Sequence, residues 1–154
     1  MGSQQDRLAA ALWFHDAGYD PYSTSNEDDS AALAYECLTE AHVDSEAVTH
    51  IRHLILCTKT HNPSGVADAD LLIDIDLAIL GQPAARFWEY EAAIRAEYAW
   101  VPWPTYAEKR AAILTRFLHR PAIYRTGSFQ SRYEATARAS LAAAIARLGA
   151  SSPA

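Results

Sequence analysis

An all-α fold of about six to seven helices is what the sequence predicts, on three observations. Apolar residues recur at helical spacing along the whole chain, and no stretch joins alternating β-branched residues to hairpin turns. The third is size: 154 residues, half of them hydrophobic, suit one domain with enough apolar surface to bury a core. A single domain is expected over 1–149, followed by a frayed tail at 150–154.

The first helix is expected over 6–15, with Gly18 and Pro21 stopping it. After a polar loop at 22–26, Glu27, Asp28 and Asp29 suit a helix N-terminus, where carboxylates meet unpaired N–H groups and the positive end of the dipole. That second helix runs to about 41. A third, over 44–58, puts Val48, Ile51, Leu54 and Ile55 on one face and gives way to the loop His61, Asn62, Pro63, Ser64, Gly65. Residues 68–80 could alternate as a strand, but a lone strand among helices leaves its backbone groups without partners. The segment therefore reads as a buried helix, stopped at Gly81 and restarted after Pro83.

Three more helices follow. Residues 84–98 turn Phe87, Tyr90, Ile94 and Tyr98 inward; a helix from about 104 carries Tyr106, Arg110, Ile113, Leu114 and Phe117 on one stripe; and 129–148 uses Tyr133, Ala137, Leu141, Ile145 and Leu148. With no internal repeat and no long linker, they should pack as one unit.

The formal charge of −6 is modest and both signs are scattered, which argues against a nucleic-acid duplex or an anionic membrane as partner. A small phosphorylated substrate stays compatible, because a metal or a few local cations can neutralise it. Cys37 and Cys57 read as buried free thiols in a reducing compartment. No secretion signal and no apolar run of about 18 residues occurs, so the expectation is a soluble cytoplasmic protein, for which a homo-oligomer is open. The opening Met1, Gly2 and Ser3 are compatible with an expression scar on a chain that begins further upstream.

His15 and Asp16, side by side after Leu12, Trp13 and Phe14, are the first feature that hydrophobic patterning does not require. A divalent cation would offset the cost of turning both inward, since neutral imidazole and carboxylate are good ligands. The plainer alternative is a helix end with a capping His and a solvated Asp. Trp13, Phe14, Trp88, Trp100 and Trp103 read as core and lid packing rather than a nucleobase platform.

Four words occur in order: residues 12–21 (LWFHDAGYDP), Asn26-Glu27, Thr58-Lys59-Thr60-His61, and residues 74–81 (DIDLAILG). Together with Glu97-Tyr98, Arg110, residues 116–118, Arg120-Pro121 and Tyr124-Arg125-Thr126, they resemble a branch of the HD superfamily of metal-dependent phosphohydrolases, over nearly the whole chain. The resemblance implies an HD-domain-like helical bundle whose ligand set reads His, then His-Asp, then a distant Asp. His15 and Asp16 match the pair and Asp76 the distal aspartate, with Asp74 competing, about 200° away on a helix. The divalent cation so implied could be Mn, Co, Ni, Fe, Mg or Zn, and the substrate a small phosphorylated compound such as a nucleotide phosphomonoester or phosphodiester.

One element of the pattern is missing: the first histidine belongs on a preceding helix, and no histidine stands among the fourteen residues before His15. Loss of one ligand in four lowers metal affinity, which keeps open an inactive HD scaffold that binds a nucleotide or protein partner. Of His50, His53 and His61, His61 is the expected substitute, beside Lys59 in a shared motif; His50 and His53 read as surface residues, and His42 and His119 carry no pattern. Asp16, Glu27, Lys59 and Arg110 complete the expected catalytic set. Glu27 would be ligand, base or acceptor, or merely a carboxylate at a helix N-terminus; Lys59 and Arg110 would hold phosphate oxygens, or merely a helix C-terminus and an ion pair.

Overall fold

The computed structural model describes residues 3–62 and 65–150; Met1 and Gly2, Pro63 and Ser64 of the expected loop, and 151–154 of the expected tail lie outside the described residues. Among the described residues there is no strand, and seven α-helices and one 3-10 helix account for the ordered structure, as the periodicity predicts. The chain is built of two compact units, 1–76 and 77–154.

The first unit contains α1 (Gln4–Phe14), α2 (Asn26–Glu40), α3 (Ser45–Thr58) and α4 (Ala67–Asp76). Helix α1 starts two residues earlier than its apolar pattern suggests, because Ser3 and Asp6 exchange side-chain and backbone hydrogen bonds in a capping box. Asp44 caps α3 by accepting from the amides of Glu46 and Ala47 at 3.1 and 3.2 Å. The expected face of α3, Val48, Ile51, Leu54 and Ile55, is buried and central, packed with Ala10 and Ala11 of α1, Ala31, Ala34 and Leu38 of α2, and Ala69 and Leu72 of α4. Alanines from three helices let α3 approach them closely.

Three side-chain expectations fail here. Trp13 is 84% exposed, because it lies about 200° around α1 from the buried Ala11. The cysteines are free, as expected, but Cys37 is exposed and Cys57 only half-buried. Cys37 falls about 100° from the buried Leu38, on the shoulder of the apolar face of α2.

The second unit begins with the 3-10 helix Leu77–Gly81 and continues through α5 (Ala84–Glu97), α6 (Trp103–Leu118) and α7 (Gly127–Ala150). The expected helix over 68–80 therefore ends as α-helix at Asp76 and tightens into 3-10 geometry. At its end a Cβ on Gly81 would stand 2.6 Å from Tyr133 Cβ and 2.9 Å from Tyr124 Oη, so only glycine allows α7 to press on this turn. Tyr124, fully buried, donates its hydroxyl to the carbonyl of Leu77 at 3.1 Å. On α6, Tyr106, Ala107 and Leu114 are buried, whereas Ile113 is 42% exposed; the buried stripe turns towards Ala107, about 100° of helix from where Tyr106 alone would centre it. Trp100, expected in packing, is also exposed.

Arg138 organises the connection between α6 and α7. Its guanidinium donates to the carbonyls of Leu118, Arg120 and Pro121 at 2.8 to 3.1 Å and to Glu134 at 2.8 Å, while Glu134 accepts from the amides of Ile123 and Tyr124. Charge-assisted bonds of this kind contribute more than neutral ones, so Arg138→Gln is expected to cost about 2–3 kcal/mol in urea unfolding. Arg138→Lys should recover less than half of it, since an ammonium lacks the planar fork.

Candidate metal centre

The centre is built where three chain segments of the first unit meet. Helix α1 ends at Phe14, and His15 follows as its C-cap, so His15 and Asp16 stand on the turn leading away from the helix. Gly18 holds that turn against α2: its amide donates to Oγ of the fully buried Ser30 at 3.0 Å, and a Cβ at Gly18 would meet the Ser30 nitrogen at 2.9 Å. Reciprocal bonds of 3.0 Å between Asp20 and Asn26 then close the following loop. Glycine and asparagine in the recognised words thus have local structural reasons.

Asp76, the last residue of α4, meets this turn. His15 Nε2 lies 3.2 Å from Asp16 Oδ2 and 3.5 Å from Asp76 Oδ1, and His61 Nε2 donates to Asp76 Oδ2 at 2.7 Å. The four residues expected as ligands therefore converge, and Asp76, not Asp74, makes the contact with His15. Asp74 is fully buried on the other side of α4, as the angular separation of the two requires. His61 reaches Asp76 from a backbone at φ 50°, the left-handed region that an L residue enters at a cost.

The protonation pattern follows from the partners. His15 Nδ1 stands 2.7 Å from the carbonyl of Leu12, which can only accept, so this nitrogen carries a proton. In a neutral ring Nε2 would then point a lone pair at two carboxylates, an arrangement that needs a positive charge between them. A proton supplies it in the cation-free protein: hydrogen bonds to Asp16 and then Asp76 push His15 up to about 10, against burial. Burial alone would raise Asp76, but the two imidazoles outweigh it and hold the carboxyl well below its ordinary value.

These shifts define a pH window. His15 contributes stability that is complete below 6.5, its ordinary value, and is lost as pH rises towards about 10. Asp76 contributes above 3.8 and loses that contribution as pH falls. In EDTA, the melting advantage of the wild-type protein over Asp76→Asn is expected to be largest between 3.8 and 6.5. An advantage that grows from pH 7 to 10 would contradict the assignment.

A divalent cation can occupy the same position as that proton. Donors about 2.1 Å from one cation stand about 3.0 Å apart at right angles and about 3.4 Å apart in a tetrahedron. The separations of 3.2 and 3.5 Å around His15 Nε2 match that span. As they stand, the donors are turned onto one another, and among the described residues no group of three or more His, Cys, Asp or Glu is arranged to hold a metal ion. The donor chemistry and span fit a cation; admission requires the His-Asp bonds to open.

The other expected site residues are placed as follows. Lys59, exposed at the C-cap of α3, pairs with Asp28 in the first turn of α2, which raises its pKa. Glu27 occupies the same first turn and adds to the field at Lys59. Arg110 belongs to the second unit, where burial opposes its charge but a two-pronged ion pair with Glu91 wins and raises its pKa. Asp28 and Glu91 are the partners sequence reasoning missed, at separations of 31 and 19 residues that no helical spacing signals. His50 pairs with Asp68 at 3.3 Å, and His53 lies beside Cys57, outside the centre.

No helix among the described residues is long and apolar enough to cross a membrane. No family model, no curated protein and no solved structure matches the chain.

Proposed function

We propose that the chain is a metal-dependent phosphohydrolase acting on a small phosphorylated compound, such as a nucleotide phosphomonoester or phosphodiester. One observation carries the reading: the Leu12 carbonyl fixes His15 so that Nε2 faces Asp16 and Asp76, a position that only a proton or a cation can fill. When bound, a divalent cation supplies a charge for phosphate oxygens and lowers the pKa of water.

The chain's own residues do the rest. His15, Asp16 and Asp76 would hold the ion, with His61 as the second imidazole. The Leu12 carbonyl keeps the His15 ring in the ligating tautomer. Asp16, the most exposed of the set, is the carboxylate that would take a proton from an approaching nucleophile. Lys59 can hold a phosphate oxygen once Asp28 releases it, whereas Arg110, in the second unit, is committed to Glu91.

The test is turnover of nucleotide monophosphates, cyclic nucleotides and phosphodiesters by the purified protein with Mn, Co, Ni, Fe, Mg or Zn. Metal-dependent hydrolysis that Asp16→Ala abolishes is expected; no turnover with any metal, or turnover unchanged in Asp16→Ala, would end the proposal. The closure of the donors on one another favours a second reading, an inactive HD scaffold that binds a nucleotide or a protein. Metal analysis separates the two, since stoichiometric metal is expected only of the enzyme.

A further inference from the structure

The second unit holds a cavity of about 320 Å³ that the chemistry above does not use. Small residues make the space: Ala92 on α5 and Ala144 on α7 line it where longer side chains would fill it, and Leu148 adds an apolar wall. The volume suits one small ligand.

The remaining walls combine aromatic rings with guanidinium groups. Trp88, Trp103 and Tyr106 line the cavity with Arg95 and Arg147. The guanidinium carbon of Arg147 stands 5.0 Å from the centroid of Trp88, and that of Arg95 stands 4.8 Å from Tyr106 and 5.6 Å from Trp103. Arg95 is anchored further through Nη1, which donates to the carbonyls of Tyr98 and Val101 at 2.8 and 3.1 Å. Dipoles and ring faces thus hold this cation, and its ties among the described residues include no carboxylate. Glu91, the acid of the lining, is engaged by Arg110. In a chain of net charge −6, the wall carries local positive charge.

We infer that this cavity binds a small planar anion, an aromatic or heteroaromatic ring bearing a carboxylate or a phosphate. With Nη1 spent on the two carbonyls, Arg95 offers its Nε–Nη2 edge to an oxyanion, which that edge matches with two parallel bonds. Leu148 and the edges of the aromatic rings receive the ligand's ring by burial. Anchoring Arg95 in advance removes part of the ordering cost of binding. An inorganic anion would forgo the ring contacts, and a neutral ring the charge-assisted bonds.

The experiment uses the full chain in EDTA, titrated with benzoate, adenosine monophosphate, benzyl alcohol and inorganic phosphate. Tryptophan fluorescence and amide shifts are the readouts. Benzoate or the nucleotide is expected to saturate, with shifts centred on residues 88–106 and 144–148, and the tighter of the two identifies the anionic group. Benzyl alcohol and phosphate should bind at least tenfold more weakly. Ala92→Phe fills the space and Arg147→Gln removes a charge, both at exposed positions. Each is expected to weaken binding at least tenfold with the melting midpoint retained. Asp76→Asn should leave the affinity unchanged, which separates this cavity from the centre in the first unit. The inference is overturned by no saturation with either ring-bearing anion up to on the order of 10 mM, by equal binding of benzyl alcohol, by normal binding in both cavity variants, or by loss of binding in Asp76→Asn.

Discussion

If the proposed function holds, Asp76→Asn is expected to lower metal affinity and metal-dependent turnover by at least about a hundredfold, the effect of removing a charged ligand rather than one that only supports it. The substitution keeps the side chain's size but replaces a carboxylate shared by His15 and His61 with an amide. A readout independent of turnover accompanies it. By NMR titration in EDTA, His15 should fall from about 10 towards 6.5, because one of its two carboxylate partners is gone. Lost activity with an unmoved His15 titration would mean that the contact is not made in solution. A moved titration with unchanged metal binding would reduce the cluster to a hydrogen-bond network tying α4 to the turn after α1.

Gly81→Ala is expected to give the largest loss of stability from a single added methyl group. The new Cβ would overlap Tyr133 Cβ at 2.6 Å and its carbonyl oxygen at 3.0 Å, both fixed to the backbone of α7, and would crowd the Tyr124 hydroxyl. Rotation of a flexible side chain cannot relieve this, so the 3-10 helix and α7 must separate. Overpacking of that kind costs about 1–3 kcal/mol, and here the upper end applies because the contact is with a helix backbone. For a unit of this size the melting midpoint should fall by roughly 10 °C or more. Calorimetry provides the check, and a change within about 1 °C would show that α7 does not press on Gly81 as described.

What could be read from the residues divides along a physical line. Burial driven by regular spacing was legible: the α3 face, the all-helical class and the start of α3 at the Asp44 cap are as expected. The convergence of His15, Asp16, Asp76 and His61 was legible only as a joint pattern, since no single pair at such separations announces contact. Interactions set by tertiary packing were not legible. Arg138 looks like one of many surface arginines until three carbonyls are found around it. Trp13 looks like core by its chemistry, yet its azimuth on α1 decides its exposure. The cavity of the second unit depends on Ala92 and Ala144, whose significance lies in what they leave unfilled.

His61 holds its place at φ 50°, where asparagine or glycine would sit with less strain. A histidine there withstands a local preference of about 1 kcal/mol in order to put a nitrogen on Asp76. Exchanging it would relax the turn while withdrawing a hydrogen-bond donor, so backbone comfort and the contact with Asp76 pull in opposite directions at this one residue. Under the proposed function it is therefore the position where the choice of ion would be retuned without touching a helix.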